Sequence, residues 1–319
     1  MTLSQLRTFA LVVRLGSLRA AAAELGVSEP AVSAAVAALR QELGDPLFVR
    51  SGGGIAFTPG GRRLAAHAEE IVGLAEQARR EVAETRTATT SLRTAATSDF
   101  AEHAAGALLD AFSRRLPDCA VDLAVSDGAA LADALNRRAA DVVLGPRPRT
   151  GGDGGLDAVP FLRYQRILVA APDHPLHDET PSLAAALRHV WLTGPVGLEE
   201  LAEEGRWLAR QSAWPDLVRF PTETEAVAAT RAGDGVMLAL GHVVRADLRQ
   251  GTLVRVPVPG TPVQGLWYAT VLGRGRASAA ARALQEFVTT PGATAAMLAP
   301  PGGTPSAPRR PPVHVALWS

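Results

Sequence analysis

The chain is 319 residues long, 47 % hydrophobic and 20 % charged, which is ample for more than one packed core. Its 32 basic and 32 acidic residues cancel, so no whole-chain field draws it to nucleic acid or a membrane. Lysine is absent, which excludes P-loop, Schiff-base and kinase-type lysine chemistry; the single cysteine, Cys119, excludes an intrachain disulfide and a multi-cysteine metal centre.

The first 66 residues are mildly basic, with seven Arg against four acidic residues. The apolar stretch Thr8 to Val13 is short and broken by Arg14, unlike a signal peptide. The uncharged stretch 287–308 is too rich in Pro, Gly and Thr to span a bilayer. A soluble, cytoplasmic protein without a membrane role is expected.

Leu3, Leu6, Phe9, Ala10 and Val13 recur at helical spacing and predict a first amphipathic helix. Ser17 caps a second, Leu18 to Leu25, which Gly26 closes. Ser28 caps a third with Pro30 in its first turn, and Val32, Val36, Leu39 and Leu43 form its apolar face. Two short apolar runs, 46–50 and 55–57, flank a Gly-rich turn and predict a β-hairpin. Thr58-Pro59 then starts a helix reaching about Glu84, with a heptad seam at Leu64, Ala68, Ile71, Ala75, Ala78 and Val82. The charged remainder of that helix favours pairing with a second chain over packing on its own domain.

A Thr-rich hinge at 85–91 leads into alternating strands and helices. Strands are expected at 92–97, 121–125, 142–144, 167–171, 236–240, 253–256 and 266–271. Helices are expected near 100–115, 129–138, 198–211, 223–232 and 277–289. The alternation predicts parallel sheet in two small lobes, before and after Leu162. The Pro- and Gly-rich end predicts disorder. The expected plan is 1–60 for a helical head with its hairpin, 61–90 for a dimerising helix and hinge, 91–290 for a two-lobed body and 291–319 for a disordered tail.

The second and third helices have the shape of a helix-turn-helix. A recognition helix places its N-terminal residues near base edges, so Glu29, Ser33 and Ala34 are the expected readers. Arg50 in the hairpin is the expected phosphate or minor-groove cation.

This stretch resembles the LysR-type transcriptional regulators. The residues that carry the likeness are Phe9, Gly16-Ser17-Leu18, Ala22-Ala23, Leu25, Ser28, Pro30-Ala31-Val32-Ser33, Leu39, Leu43-Gly44, Leu47 to Arg50 and Thr58-Pro59-Gly60-Gly61. Asp173-His174-Pro175-Leu176 and the segment 233–240 look like that family's effector domain. The resemblance covers residues 1 to about 290. It implies a winged helix-turn-helix, a long dimerising linker helix and a two-lobed α/β effector-binding domain like type 2 periplasmic binding proteins. Its implied partners are double-stranded DNA, a small-molecule effector and further copies of the chain, as a homodimer through the linker helix and a homotetramer through effector domains. The expected DNA-binding set is Ser28, Glu29, Pro30, Ser33, Ala34, Arg50 and Thr58. Ala34 and Ala35 stand where the family commonly carries a longer polar residue, and Arg40 where it carries an acidic one, which shifts the expected readout toward DNA shape.

Ligands of α/β sheets sit beyond the carboxyl ends of strands, where helix N-termini offer free N–H groups. Hydroxyl residues recur at such turns: Thr97 and Ser98, Ser126, Thr193, Thr222 and Thr224. Each alone reads as a helix cap; their recurrence in both lobes, together with the family resemblance, predicts a cleft for a small anion, with Arg147 or Arg149 as counter-charge. The His and Asp residues at 173–178 read as a solvated turn, since Pro175 breaks any helix that would align two ligands. Glu199, Glu200, Glu203 and Glu204 read as a solvated stripe. No cofactor, metal ligand set or catalytic constellation is expected. The alternative, a two-lobed solute-binding protein or enzyme without a DNA role, leaves the N-terminal head without a use.

Overall fold

The computed structural model describes all residues except 52–53, 87–88, 149–154, 177–180, 196–202, 212, 274, 300–314 and 318–319; at 50–51, 54, 203 and 315–317 it describes the backbone alone. The chain divides into two compact units, Met1–Thr87 with Asn136–Ala139, and Ala88–Leu135 with Ala140–Ser319. The head and linker helix, expected as segments 1–60 and 61–90, thus fall in one unit.

In the first unit α1 spans Leu3–Leu15, α2 Leu18–Leu25 and α3 Glu29–Leu43. Thr2, Ser17 and Ser28 each accept a first-turn backbone N–H. Gly16, Gly26 and Gly44 end the three helices with φ of 62°, 64° and 65°, a region open to glycine at little steric cost. The axes of α2 and α3 meet at 111°, within the helix-turn-helix range. Strands β1 (Phe48–Ser51) and β2 (Gly54–Phe57) pair antiparallel as the wing, and α4 runs from Pro59 to Glu84. Leu6, Phe9, Val12, Val32, Val36, Leu39, Leu47 and Ala68 pack as one core. Gly61 is required there, because a Cβ would lie 1.9 Å from the Leu47 carbonyl oxygen.

The linker-helix seam divides. Ala68 is fully buried and Leu64 packs against the head's own core, so this part is not free for a second chain. The open apolar stripe is Ile71, Leu74, Ala78 and Val82. Leu74, absent from the expected seam, replaces the half-buried Ala75 in it.

In the second unit β3 (Thr90–Ala96), β4 (Cys119–Val125) and β5 (Val142–Gly145) are parallel. Between β3 and β4 come α5 (Ser98–Phe100), a wide π turn at Ala101–Ala105 and α6 (Gly106–Arg115); a 3-10 turn and α7 (Leu131–Asn136) precede β5. The long β6 (Leu156–Ala170) follows, then α8 (Leu183–Ala186), β7 (Trp191–Thr193), α9 (Glu203–Leu208) and β8 (Leu217–Arg219). The chain continues through α10 (Glu223–Ala232), β9 (Val236–Leu240), α11 (Arg245–Gln250), β10 (Val254–Arg255) and the second long strand, β11 (Val263–Leu272). It closes with α12 (Ala279–Phe287), α13 (Pro291–Met297) and β12 (Val315–Leu317).

Sheet order is β12-β4-β3-β5-β11-β6-β9-β7-β8, with β10 on β6. The expected parallel sheet holds for β4-β3-β5 in the first lobe and β9-β7-β8 in the second, but β11 joins the first antiparallel on β5 and β6 joins the second antiparallel on β9. β6 and β11 run antiparallel to each other, and each passes from one lobe to the other. A register shift at Trp267/Tyr268 marks the crossing. Gly265 leaves room there for Tyr164, whose ring would lie 2.2 Å from a Cβ at that position.

The expected disorder from residue 291 is overturned for Pro291–Met297. Thr290 accepts the Ala293 N–H, Pro291 fits the first turn, and Ala293 and Met297 enter the core with Phe112 and Leu284. Composition suggested a tail, but a cap and two buried side chains suffice for a short docked helix.

Candidate functional site

On the head, Ser28, Glu29, Pro30, Ser33 and Ala34 are all exposed along the start of α3. Ser28 doubles as the N-cap. Val32, Val36 and Leu39 anchor the opposite face, so the exposed residues are held out on a rigid helix. Arg50 lies on β1, with its side chain outside the described residues. Thr58 has a structural job: its hydroxyl donates to Asp45 Oδ1 at 2.8 Å and accepts the Gly61 N–H at 2.8 Å. Arg40 turns toward the wing. Its guanidinium lies 4.2 Å from the centre of the Phe48 ring and donates to the Phe48 carbonyl at 2.9 Å.

In the second unit the turns expected to meet do converge in part, around a group that the sequence reading did not name. Arg166, 5 % exposed on β6, is ringed by carboxylates. Asp99 Oδ2 lies 2.8 Å from Nη2, Glu204 Oε1 2.9 Å from Nε and Glu223 Oε1 3.6 Å from Nη1. Burial alone would lower the Arg166 pKa, but Glu204, Glu223 and Asp99 outweigh it and the group is held firmly charged. Burial pushes the Glu223 carboxyl up to about 7; Arg166 opposes this, while Asp99, Glu204 and Glu102 add to it.

A second link joins the lobes. Glu102, on the π turn, accepts the backbone N–H of Glu223 at 2.9 Å and of Thr224 at 2.8 Å, the two first amides of α10. Such N–H groups lack partners within a helix and carry its positive end. His103 and His242 stand close by, both with lowered pKa chiefly through burial, His242 to about 4. Trp267 Nε1 is buried without a hydrogen-bond partner among the described residues, and its ring meets His242 edge-on at 6.0 Å. The space beside Arg166 is about 10 Å³, bounded by Trp191, Leu192, Thr193, Glu223, Met237 and Leu238. That is room for one water.

The expected hydroxyl set separates. Thr193 borders this space, buried, with its hydroxyl donating to the Gly194 carbonyl at 3.4 Å. Thr97 and Ser98 precede Asp99; the Thr97 hydroxyl is buried without a partner among the described residues and makes no cap bond. Thr222 is the N-cap of α10, and Thr224 contributes its backbone N–H while its side chain is exposed. Ser126 stays at the end of β4, its N–H on the Ala96 carbonyl. Arg147 is exposed, and Arg149 lies outside the described residues.

The acidic stripe needs correction at Glu204, which is 4 % exposed and serves Arg166. Glu199 and Glu200 lie outside the described residues, as do His177 and Asp178, and Glu203 is described by its backbone alone. His174 is buried and not solvated; its Nδ1 accepts the Leu176 N–H, and its ring lies 4.8 Å from His189. Asp99, Glu102, Arg166 and Glu223 escaped the sequence reading because they are spread over more than 120 positions. One signal was present: a charged residue heading the continuous apolar run 167–171 must find partners once buried.

Among the described residues no single helix is long and apolar enough to cross a membrane. A winged helix-turn-helix in one unit and, in the other, a two-lobed α/β body with a buried charge cluster linking its lobes define a DNA-binding protein with an effector-type domain. Residues 3–62 match the family model described as bacterial regulatory helix-turn-helix protein, lysR family, and residues 85–291 match that of the LysR substrate binding domain. An uncharacterized HTH-type transcriptional regulator of Mycobacterium tuberculosis is 43 % identical over the whole of both chains. Among solved structures, ArgP from Mycobacterium tuberculosis is 24 % identical, covering 92 % of this chain and 96 % of that one with a TM-score of 0.60. Full-length LysG from Corynebacterium glutamicum, solved with its effector Arg, is 20 % identical over 93 % and 98 % with a TM-score of 0.51. The chain belongs to the LysR-type transcriptional regulators, a family that binds DNA and small-molecule effectors and forms oligomers.

Proposed function

We propose that this regulator binds operator DNA through α3 and the wing as a homodimer joined along α4, and that a small anionic metabolite in the interlobe cleft sets its activity. The family resemblance adds a homotetramer as the larger assembly. The observation that carries the cleft reading is Arg166, a buried guanidinium at the crossing of the lobes whose partners come from α5, α9 and α10. Arg166 and the first amides of α10 are the cation and the N–H pair an anion requires. Both are occupied by carboxylates of the chain itself, so an anionic ligand enters by exchange with one of them. LysG, solved with its effector, supports a small-molecule role for the shared fold. Among the described residues no nucleophile–base set is built around Arg166, and the head gives the DNA reading its use.

The test is binding of the full chain to its own upstream DNA. Arg50→Ala should weaken binding to every sequence and lower the salt slope by roughly one. Ser33→Ala should relax discrimination at particular base pairs. Unchanged binding of both variants to operator and random DNA would remove the assignment of these residues. A thermal-shift screen of small carboxylates and phosphates tests the cleft.

A further inference from the structure

We infer that Glu102 is a built-in latch that holds the two lobes together and must release before a ligand can enter between them; the regulatory meaning of that closure rests on the cleft reading above. The latch is made of one side chain from the first lobe and two backbone groups from the second. The Glu102 carboxylate accepts the N–H groups of Glu223 and Thr224 with one oxygen each, at 2.9 and 2.8 Å. α10 has ten residues, and its cap, Thr222, already serves the Glu225 N–H, so Glu102 satisfies the amides that the cap does not. Both bonds join an ionised acceptor to the positive end of a helix, the stronger class of hydrogen bond.

A second link reinforces the first. Asp99, three residues before Glu102, bonds Arg166 at 2.8 Å, and Arg166 in turn meets Glu204 and Glu223 of the second lobe. Closure leaves about 10 Å³ beside Arg166, so a metabolite cannot enter without loosening these contacts. A ligand shifts the equilibrium by binding better where the lobes have parted.

The experiment uses the full chain without ligand. Hydrogen exchange at the Glu223 and Thr224 amides is followed in wild type, Glu102→Gln and Thr224→Pro, and operator affinity is measured alongside. Thr224→Pro deletes one latch donor at the helix position that Pro30 occupies in α3, and so guards against a Glu102 variant that fails to fold. Loss of the charge-assisted bonds should speed exchange at the remaining first-turn amides by about tenfold or more and change operator affinity in both variants. Amides as protected in Glu102→Gln as in wild type would overturn the latch. Released amides with operator affinity unchanged in both variants would overturn its regulatory role. A metabolite screen without a hit would count against the cleft reading alone, since neither measurement uses a ligand.

Discussion

The Glu223 carboxyl is buried against Arg166 and feels three further carboxylates, so its protonation is tied to the fold. Its pKa is raised from 4.5 to about 7. At pH below 4.5 the group is protonated whether the chain is folded or not. As pH climbs from 4.5 to about 7 the unfolded chain ionises it more readily than the folded one, and stability is lost across that window. His242, lowered from 6.5 to about 4, acts in the opposite sense and costs stability as pH falls between those values. Comparison with Glu223→Gln separates the two effects. The melting temperature of wild type should drop relative to the variant as pH rises from 4.5 to about 7 and level off above. A constant gap would show that Glu223 ionises as freely in the folded protein as in the unfolded.

At the scale of elements, α4 does two jobs with one amphipathic sequence. Its first turns bury Ala65 and Ala68 in the head, and its later turns present Ile71, Leu74, Ala78 and Val82. Leu74→Glu should weaken dimerisation of the full chain at least tenfold by sedimentation, because a charge facing a partner helix is costly. Ala75→Glu, at a half-buried position beside the stripe, should do less. Equal sedimentation of Leu74→Glu and wild type at every concentration would remove the stripe from the interface. The elements most legible in the sequence are those with local signals at both ends. α10 has Thr222 before it and Gly233 after it at φ 92°, and β9 is an unbroken apolar run; both have the expected bounds. β6 was legible only at its end, residues 167–170, since Pro160, Arg163 and a partly exposed start conceal the rest. Of the Arg166 cluster only the arginine left a signal, at the head of an apolar run; its carboxylate partners meet it only where β6 passes α5, α9 and α10.

For the whole molecule, the expected division near Leu162 lands on the crossing, where Leu162 pairs with Trp267 beside the register shift. What the sequence order concealed is that the chain returns. β11 brings Tyr268 to Val271 back against β5, and α12 and α13 then complete the core around Phe100 and Phe112. The first lobe is thus assembled from segments far apart in the chain, while the second is one continuous stretch, and only the topology of the two long strands reveals it.

That return has a consequence for the order in which the protein is made. Synthesis runs from the N-terminus, and the first lobe waits for Trp267, Ala281 and Leu284 long after β3 to β5 have emerged. Until then the apolar faces of Val142 and Leu144 lack their neighbours on β11. A nascent chain stalled before residue 263 should be readily cleaved by protease within 90–145, whereas the head, whose contacts are local, should already resist. Protection of both regions in the stalled chain would show that the first lobe folds without its returning strand.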